Sequence, residues 1–369
     1  MKQIKRTLKV AFFYLPMLIF NSCKDDSITS DFIDGSRMLV YARARNEMYS
    51  VDVNTFQLKE TIPLNMPGQR NLILELPCIS TDRSHLIFSG KDETDPQIVH
   101  YLLSFNLAKK KFDDVFKTGL YATGAERVFA AQNKIEPGLF YFYSQNNGLF
   151  AFDYLREKLV NTYFNERRFS EQREFYLSPD GNHVVVSVTY GTQSPIYTEV
   201  YFFNTQKGLK DPEFILNEKN KDQIYIDDLQ FSEDGQKLYL SFMNSSNERP
   251  RNSFIGYYDL NAKSLHTFPV NLPWSINPYY IAYNEKRHEI YTNGAYDKLY
   301  VIDADHEQIT GEIHLGGKQN GPSSILVRSD GKIVFVSCAD SDFIAVVDPE
   351  KGSMIQKISL THPYLMIIP

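Results

Sequence analysis

Val334-Phe335-Val336-Ser337 is an apolar alternation closing on a small polar residue, and eleven residues later Asp348 closes a second alternation. Side chains that alternate with period two belong to a half-buried strand, and β-branched and aromatic residues favour that state. The first feature recurs as Leu39-Val40-Tyr41-Ala42, Leu86-Ile87-Phe88-Ser89, Tyr141-Phe142-Tyr143-Ser144, Val184-Val185-Val186-Ser187, Leu238-Tyr239-Leu240-Ser241 and Ile290-Tyr291-Thr292-Asn293. The second recurs at Asp52, Asn106, Asp153, Asn204, Asp259 and Asp303, so each counts to seven, at intervals of 44 to 55 residues. An Asx side chain bonds backbone two residues on and opens a turn. Turns such as Ser178-Pro179-Asp180-Gly181, Ser232-Glu233-Asp234-Gly235 and Ser329-Asp330-Gly331 join two further strands between copies.

Four strands per unit of about 40–50 residues describe the blade of a β-propeller. The first unit starts at Met38 with no strand ahead of it, and the last is followed by a surplus apolar strand, Tyr364 to Ile368. The expectation is an all-β, seven-bladed propeller of four-stranded antiparallel blades, its ring closed by the C-terminal strand. Such a closure removes an exposed edge. It overrides the prior of two domains that 369 residues would suggest.

The last two units resemble the YVTN-type repeat. The resemblance runs from Pro278-Tyr279-Tyr280-Ile281-Ala282-Tyr283 through Ile290-Tyr291-Thr292-Asn293 to Val301-Ile302-Asp303. It resumes from Gly321-Pro322 through Arg328-Ser329-Asp330-Gly331-Lys332 to Val346-Val347-Asp348. It covers residues 270–360 and implies a propeller of the sort shared by periplasmic binding proteins, lactonases and quinoprotein subunits. No one of those activities follows from a shared fold.

The N-terminus gives an address. Lys2, Lys5, Arg6 and Lys9 precede the apolar run Val10 to Phe20, which is interrupted by Pro16. The run is too short to span a bilayer, which takes about 20 apolar residues, and reads as a secretory signal. It ends in Phe20-Asn21-Ser22-Cys23, which resembles a bacterial lipobox; Lys24-Asp25-Asp26 resembles the export tag of Bacteroidota surface lipoproteins, and Asp26-Ser27-Ile28 a short O-glycosylation motif of that phylum. The resulting expectation is a signal peptide at 1–22, a lipidated Cys23 with a flexible acidic tether at 23–37, and a propeller at 38–369, lipid-anchored to the outer membrane at the cell surface. Without the leader's four basic residues, 35 Lys and Arg remain against 45 Asp and Glu, a formal charge of −10. That charge, with no basic run, argues against nucleic acid as a partner. Cys78 and Cys338 lie in non-neighbouring units and are expected as buried thiols rather than a disulfide.

Loops on a rigid scaffold carry function. The interval from the small polar residue to the Asx is 9 to 11 residues in units one, three, six and seven, but 17 or 18 in units two, four and five. The extra residues, Lys91–Val99, Tyr190–Glu199 and Asn244–Ser253, point to the face carrying the connections from second to third strand and from blade to blade. Repeat alignment sets Leu76, Arg127, Glu174, Asp228, Tyr280 and Ser324 at one level of the channel mouth, with Arg173, Asp227 and Tyr279 beside them. Trp274, the sole tryptophan, lies in a neighbouring loop.

The candidate ligand-binding residues are therefore Arg127, Arg173, Glu174, Asp227, Asp228, Trp274, Tyr279 and Tyr280, a set suited to a glycan, peptide or envelope-protein partner. Asp227-Asp228 with Glu174 also offers oxygen ligands for Ca²⁺, although solvated strand-start residues are the preferred reading and no cofactor is expected. The sequence holds no H-E-x-x-H, G-x-S-x-G or P-loop. His85, His183 and His288 read as turn residues of the opposite face. A binding or assembly module is expected over catalysis; the alternative is a lactonase- or lyase-like enzyme using a divalent metal held by carboxylates at the mouth.

Overall fold

A computed structural model describes residues 35–368 apart from 67–71, 75–76, 81–82, 93–98, 122–128, 133–138, 145–147, 154–155, 157, 164–170, 191–195, 208–210, 245–252, 270–278, 295–296 and 317–322. Its strands form seven antiparallel sheets arranged as the blades of a β-propeller. Each blade runs outward from an inner strand lining the central channel. Blade two splits its inner strand into Leu72–Leu74 and Cys78–Ile79, both paired with His85–Asp92.

The ring closes as the surplus C-terminal strand implies. Leu365–Ile367 pairs with Arg37–Ala42, Leu365 opposite Tyr41 and Ile367 opposite Leu39, and supplies the inner strand of blade one. Side-chain bonds fix the segment that leads into it: Ser337 donates to the Pro363 carbonyl, and the Tyr49 hydroxyl donates to that of Thr361 at 3.3 Å. The Tyr364 amide donates to the Tyr41 carbonyl at 3.0 Å.

Period-two alternation divides every blade between two seams. In blade one, Met38, Val40 and Ala42 pack toward blade seven, while Leu39 and Tyr41 pack toward blade two. In blade four, Val184, Val186 and Val188 face blade three, and Val185 faces blade five. An apolar cluster fills each of the seven seams, the closing one included.

All seven predicted Asx turns form. The Oδ1 of Asp52, Asn106, Asp153, Asn204, Asp259, Asp303 and Asp348 each accepts a backbone N–H two or three residues on, at 2.7 to 3.1 Å. In the turns between inner and second strands, Gly181, Gly235 and Gly331 sit at φ of 74°, 69° and 72°, a region that costs glycine nothing. The outer strands of blades one, two, three, six and seven each carry a bulge near their start. Bulges twist an exposed edge away from edge-to-edge pairing.

Candidate functional site

The blades differ in height on the face that carries the connections from second to third strand. In blades one, three, six and seven these hairpins turn at once, at Ala42↔Glu47, Ser144↔Gly148, Asn293↔Leu299 and Cys338↔Phe343. In blades two, four and five the pairing climbs further, to Asp92↔Val99, Tyr190↔Tyr197 and Met243↔Ser253. Their inner strands climb too, with Leu72, Glu171 and Ile224 opposite Asp92, Thr189 and Asn244. The long segments expected as loops are thus partly continuations of the sheet.

Each tall blade also carries an extra residue in its inner strand. Arg173 is the insertion between the pairs Gln172↔Val188 and Glu174↔Ser187, and Asp227 that between Ile226↔Phe242 and Asp228↔Ser241. In blade two the inner strand has one residue more than its partner between Leu74↔Gly90 and Cys78↔Ile87. All three insertions fall beside the small polar residue of the repeat, where Ser89, Ser187 and Ser241 are buried. Glu174, Asp228 and Ser324 stand opposite Ser187, Ser241 and Ser337, so these three share one level in the ring. Leu76, Arg127, Trp274 and the side chains of Arg173 and Glu174 lie outside the described residues, as do the leader, Cys23 and Lys24-Asp25-Asp26.

Asp227 and Asp228 are not the solvated pair expected. Asp227 is buried. Asp228 joins three blades: its Oδ1 accepts the Tyr176 hydroxyl of blade four at 3.0 Å and the Leu229 amide at 2.8 Å, and its Oδ2 accepts the Ile281 amide of blade six at 2.8 Å. Two residues along, Gln230 Oε1 accepts the Tyr283 amide at 2.8 Å. Side chains of one inner strand therefore satisfy the channel-side N–H groups of the next. Burial pushes the Asp228 carboxyl up to about 6, against the pull of its three donors. Next to it, the Tyr280 amide donates to Asn293 Oδ1 at 2.8 Å, and Tyr279 is exposed. The structure therefore gathers Asp227, Asp228, Tyr279 and Tyr280 at the seam of blades five and six.

The crossing from blade four to blade five is pinned to the same face. Asn217, fully buried, donates from Nδ2 to the Thr198 and Ile224 carbonyls at 2.7 and 3.0 Å, and its Oδ1 accepts the Asp222 amide. Glu199 accepts the Lys219 amide and the Tyr201 hydroxyl, which also bonds that of Tyr190. Burial and the Glu199 bond push the Tyr201 phenol upward. Asn217, Lys219, Asn220 and Gln223 all hold positive φ, backbone strain that the surrounding bonds stabilise.

A second feature of this face escaped the sequence reading. A cavity of about 430 Å³ opens where short blade one meets tall blade two. Arg43 and Asn46 of the blade-one turn form one side, and His362 and Tyr364, entering the closing strand, form another. Leu72 and Leu74 of the raised inner strand complete it. Three segments far apart in sequence make it, and no local motif marks them.

On the opposite face His85 and His183, expected as turn residues, instead open the second strands of their blades, while His288 does lie in the turn before its strand. His85 and His183 repeat one arrangement, each near the Asx of the adjoining turn and an acid, Asp113 or Glu213, at 3.4 Å. Among the described residues no group of three or more His, Cys, Asp or Glu could hold a metal ion. Cys78 and Cys338 are free thiols as expected, but only Cys338 is buried and Cys78 is half-buried; desolvation pushes both up to about 12.

Solved structures place the fold in known company. The chain is similar to Kuenenia stuttgartiensis hydrazine synthase, with a TM-score of 0.63 and 14% identity over 85% of this chain and 93% of that one. It is also similar to the dihydro-heme d1 dehydrogenase NirN in complex with DHE, with a TM-score of 0.58 and 16% identity over 88% of this chain and 63% of that one. At such identities the likeness is one of fold. No protein-family model and no curated protein matches the chain.

Proposed function

We propose that the chain is a cell-envelope lipoprotein, anchored through Cys23, that binds or assembles with a glycan, peptide or protein partner through the uneven face of its propeller. The carrying observation is the height of blades two, four and five. Their inner, second and third strands stay paired further above the small polar position of the repeat than those of the other blades, which raises a relief of paired strands on this face. Paired strands leave less to be ordered on binding than unpaired segments do. Asp228, the strongest candidate metal donor of the enzyme alternative, is already committed to donors from three blades.

Native co-purification tests the reading. The envelope is solubilised in mild detergent, the protein is captured by a C-terminal tag, and its companions are identified by mass spectrometry beside a Cys23→Ala control. A stoichiometric companion, lost in the control, supports an anchored assembly module. A Cys23 that carries no lipid, or a protein that comes down alone and binds no envelope glycan, overturns the proposal.

A further inference from the structure

The outer wall of the ring has an apolar corner away from the uneven face. Close to each Asx turn, an apolar residue begins the outer strand. In blades two, four and five that residue, Phe112, Phe214 or Leu265, is buried or half-buried. In the consecutive blades six, seven and one the same end of the outer strand exposes Ile309 at 36%, Ile355 at 42% and Leu58 at 44%. These blades adjoin across the ring closure: the outer strands of blades six and seven touch, and Gln356 Nε2 of blade seven donates to the Phe56 carbonyl of blade one at 3.3 Å. Among the described residues, the other exposed large aliphatic of an outer strand is Val160, on blade three across the ring. The Asx carboxylates beside the corner each have a basic partner, Asp52 with Lys59, Asp303 with His306 and Asp348 with Lys351, at 3.6, 2.8 and 2.6 Å.

The chain enters the ring at this corner. Arg37 stands opposite Asp52, and the Ser36 carbonyl accepts the Val53 amide at 3.0 Å. The polypeptide therefore arrives at the tight-turn end of blade one, while the Ala42 end of the same strand meets the uneven face. Cys23 lies thirteen residues before Ser36, a stretch that spans at most about 45 Å. A lipid on Cys23 would keep the corner within reach of its bilayer. A few half-exposed side chains bind a membrane only weakly by themselves, but a tether makes the contact intramolecular and raises its effective concentration.

We propose that the corner formed by Ile309, Ile355 and Leu58 rests on the lipid surface that carries the anchor, with the uneven face turned away from it. The inference rests on the anchored reading above and adds an orientation to it. Docked in this way, the raised ends of blades two, four and five point outward to a partner.

The test uses the full-length protein with Trp274→Phe, to which one tryptophan is added at a time: Leu58→Trp or Ile355→Trp at the corner, Val160→Trp on the far wall, and Ala44→Trp in the exposed turn of the uneven face. Each protein is reconstituted in phosphatidylcholine vesicles with and without brominated acyl chains, which quench tryptophan at the membrane. The corner tryptophans are expected to lose about half or more of their emission, since apolar groups at a membrane surface sink in by about 5–10 Å, and the other two to keep theirs. Ile309→Glu with Ile355→Glu, at exposed positions that tolerate substitution, is expected to remove the quenching of Leu58→Trp. Equal quenching at all four positions, none at any, or quenching of Leu58→Trp that survives those two substitutions overturns the proposal. Intact mass separates this outcome from the fate of the anchor. A Cys23 without lipid overturns the anchored reading; its thiol is then coupled to a maleimide-bearing lipid in Cys78→Ala, Cys338→Ala protein, and the same quenching pattern decides the corner.

Discussion

Asp228→Asn separates two opposed physical terms within one side chain. The carboxylate accepts from Tyr176, Leu229 and Ile281, which favours its charged form, while burial favours the neutral one and prevails, holding the group at about 6 against an ordinary 3.8. A group whose folded value is raised contributes stability that is fully present below the unfolded value and is lost as pH rises through the folded one. About two units correspond to about 3 kcal/mol at 1.36 kcal/mol per unit. The wild type is therefore expected to lose about 2–3 kcal/mol through this group between pH 4 and pH 7. Asparagine does not titrate, and its NH2 cannot accept where the second oxygen of the aspartic acid, neutral or charged, can, which costs about 1–3 kcal/mol. The variant should thus be the less stable protein at pH 4, with the gap closing or reversing by pH 7. Urea unfolding of both proteins at four pH values reads the difference, in which the other titrating groups cancel. A gap that widens with rising pH would show that the three donors outweigh burial and would refute the argument.

Three further outcomes follow from the packing. Met366, buried in the seam of blades seven and one, should cost about 2–5 kcal/mol on truncation to alanine, and a loss below about 0.5 kcal/mol in urea unfolding would mean that the closing strand is not held as described. Gly331→Ala meets both a φ of 72° and Asn284 Oδ1 at 2.7 Å from the new Cβ, so a fall in stability of about 1–3 kcal/mol is expected, whereas an unchanged melting curve would contradict it. Cys338, buried, with its thiol held at about 12, should resist iodoacetamide at neutral pH until denaturant is added, and the half-buried Cys78 should label more slowly than a free thiol; intact mass of the Cys23→Ala protein reads this, and prompt native labelling at Cys338 would count against its burial.

Much of the ring was legible because its determinants are local. An alternation of apolar residues declares its own two faces, and an Asx declares its own turn, so seven blades and seven turns could be counted without knowing what touched what. The closing strand was legible for the same reason, as an apolar segment lacking a place in its own unit. The bulges at Arg173 and Asp227 were not, since one inserted residue leaves the composition of a strand unchanged while re-aiming all that precedes it. Asp227 and Asp228 accordingly looked like a solvated pair. Their environment is decided by Tyr176 and Ile281, respectively 52 and 53 residues from Asp228. The intervals of 17 and 18 residues did mark the three tall blades, but they were read as loops, because polar residues such as Lys91, Thr189 and Glu199 interrupt the apolar alternation there although the fold buries them.

Seven similar blades present seven similar seams, and a ring of that kind offers a ligand no unique place to bind. Uniqueness has to come from breaks in the repeat, and this chain has two of different origin. One is the extra residue in the tall blades, which turns Asp228 into a junction of three blades and raises the rim above it. The other is topological: blade one alone is assembled from both ends of the chain, and beside it stands a tall blade. The step between them leaves an open cavity lined from the turn of one end and the strand approach of the other. Binding at the first break would act through the raised, paired strands of the tall blades. Binding at the second would act on the closure itself, so that a ligand there is felt as stability of the whole ring rather than as a local contact.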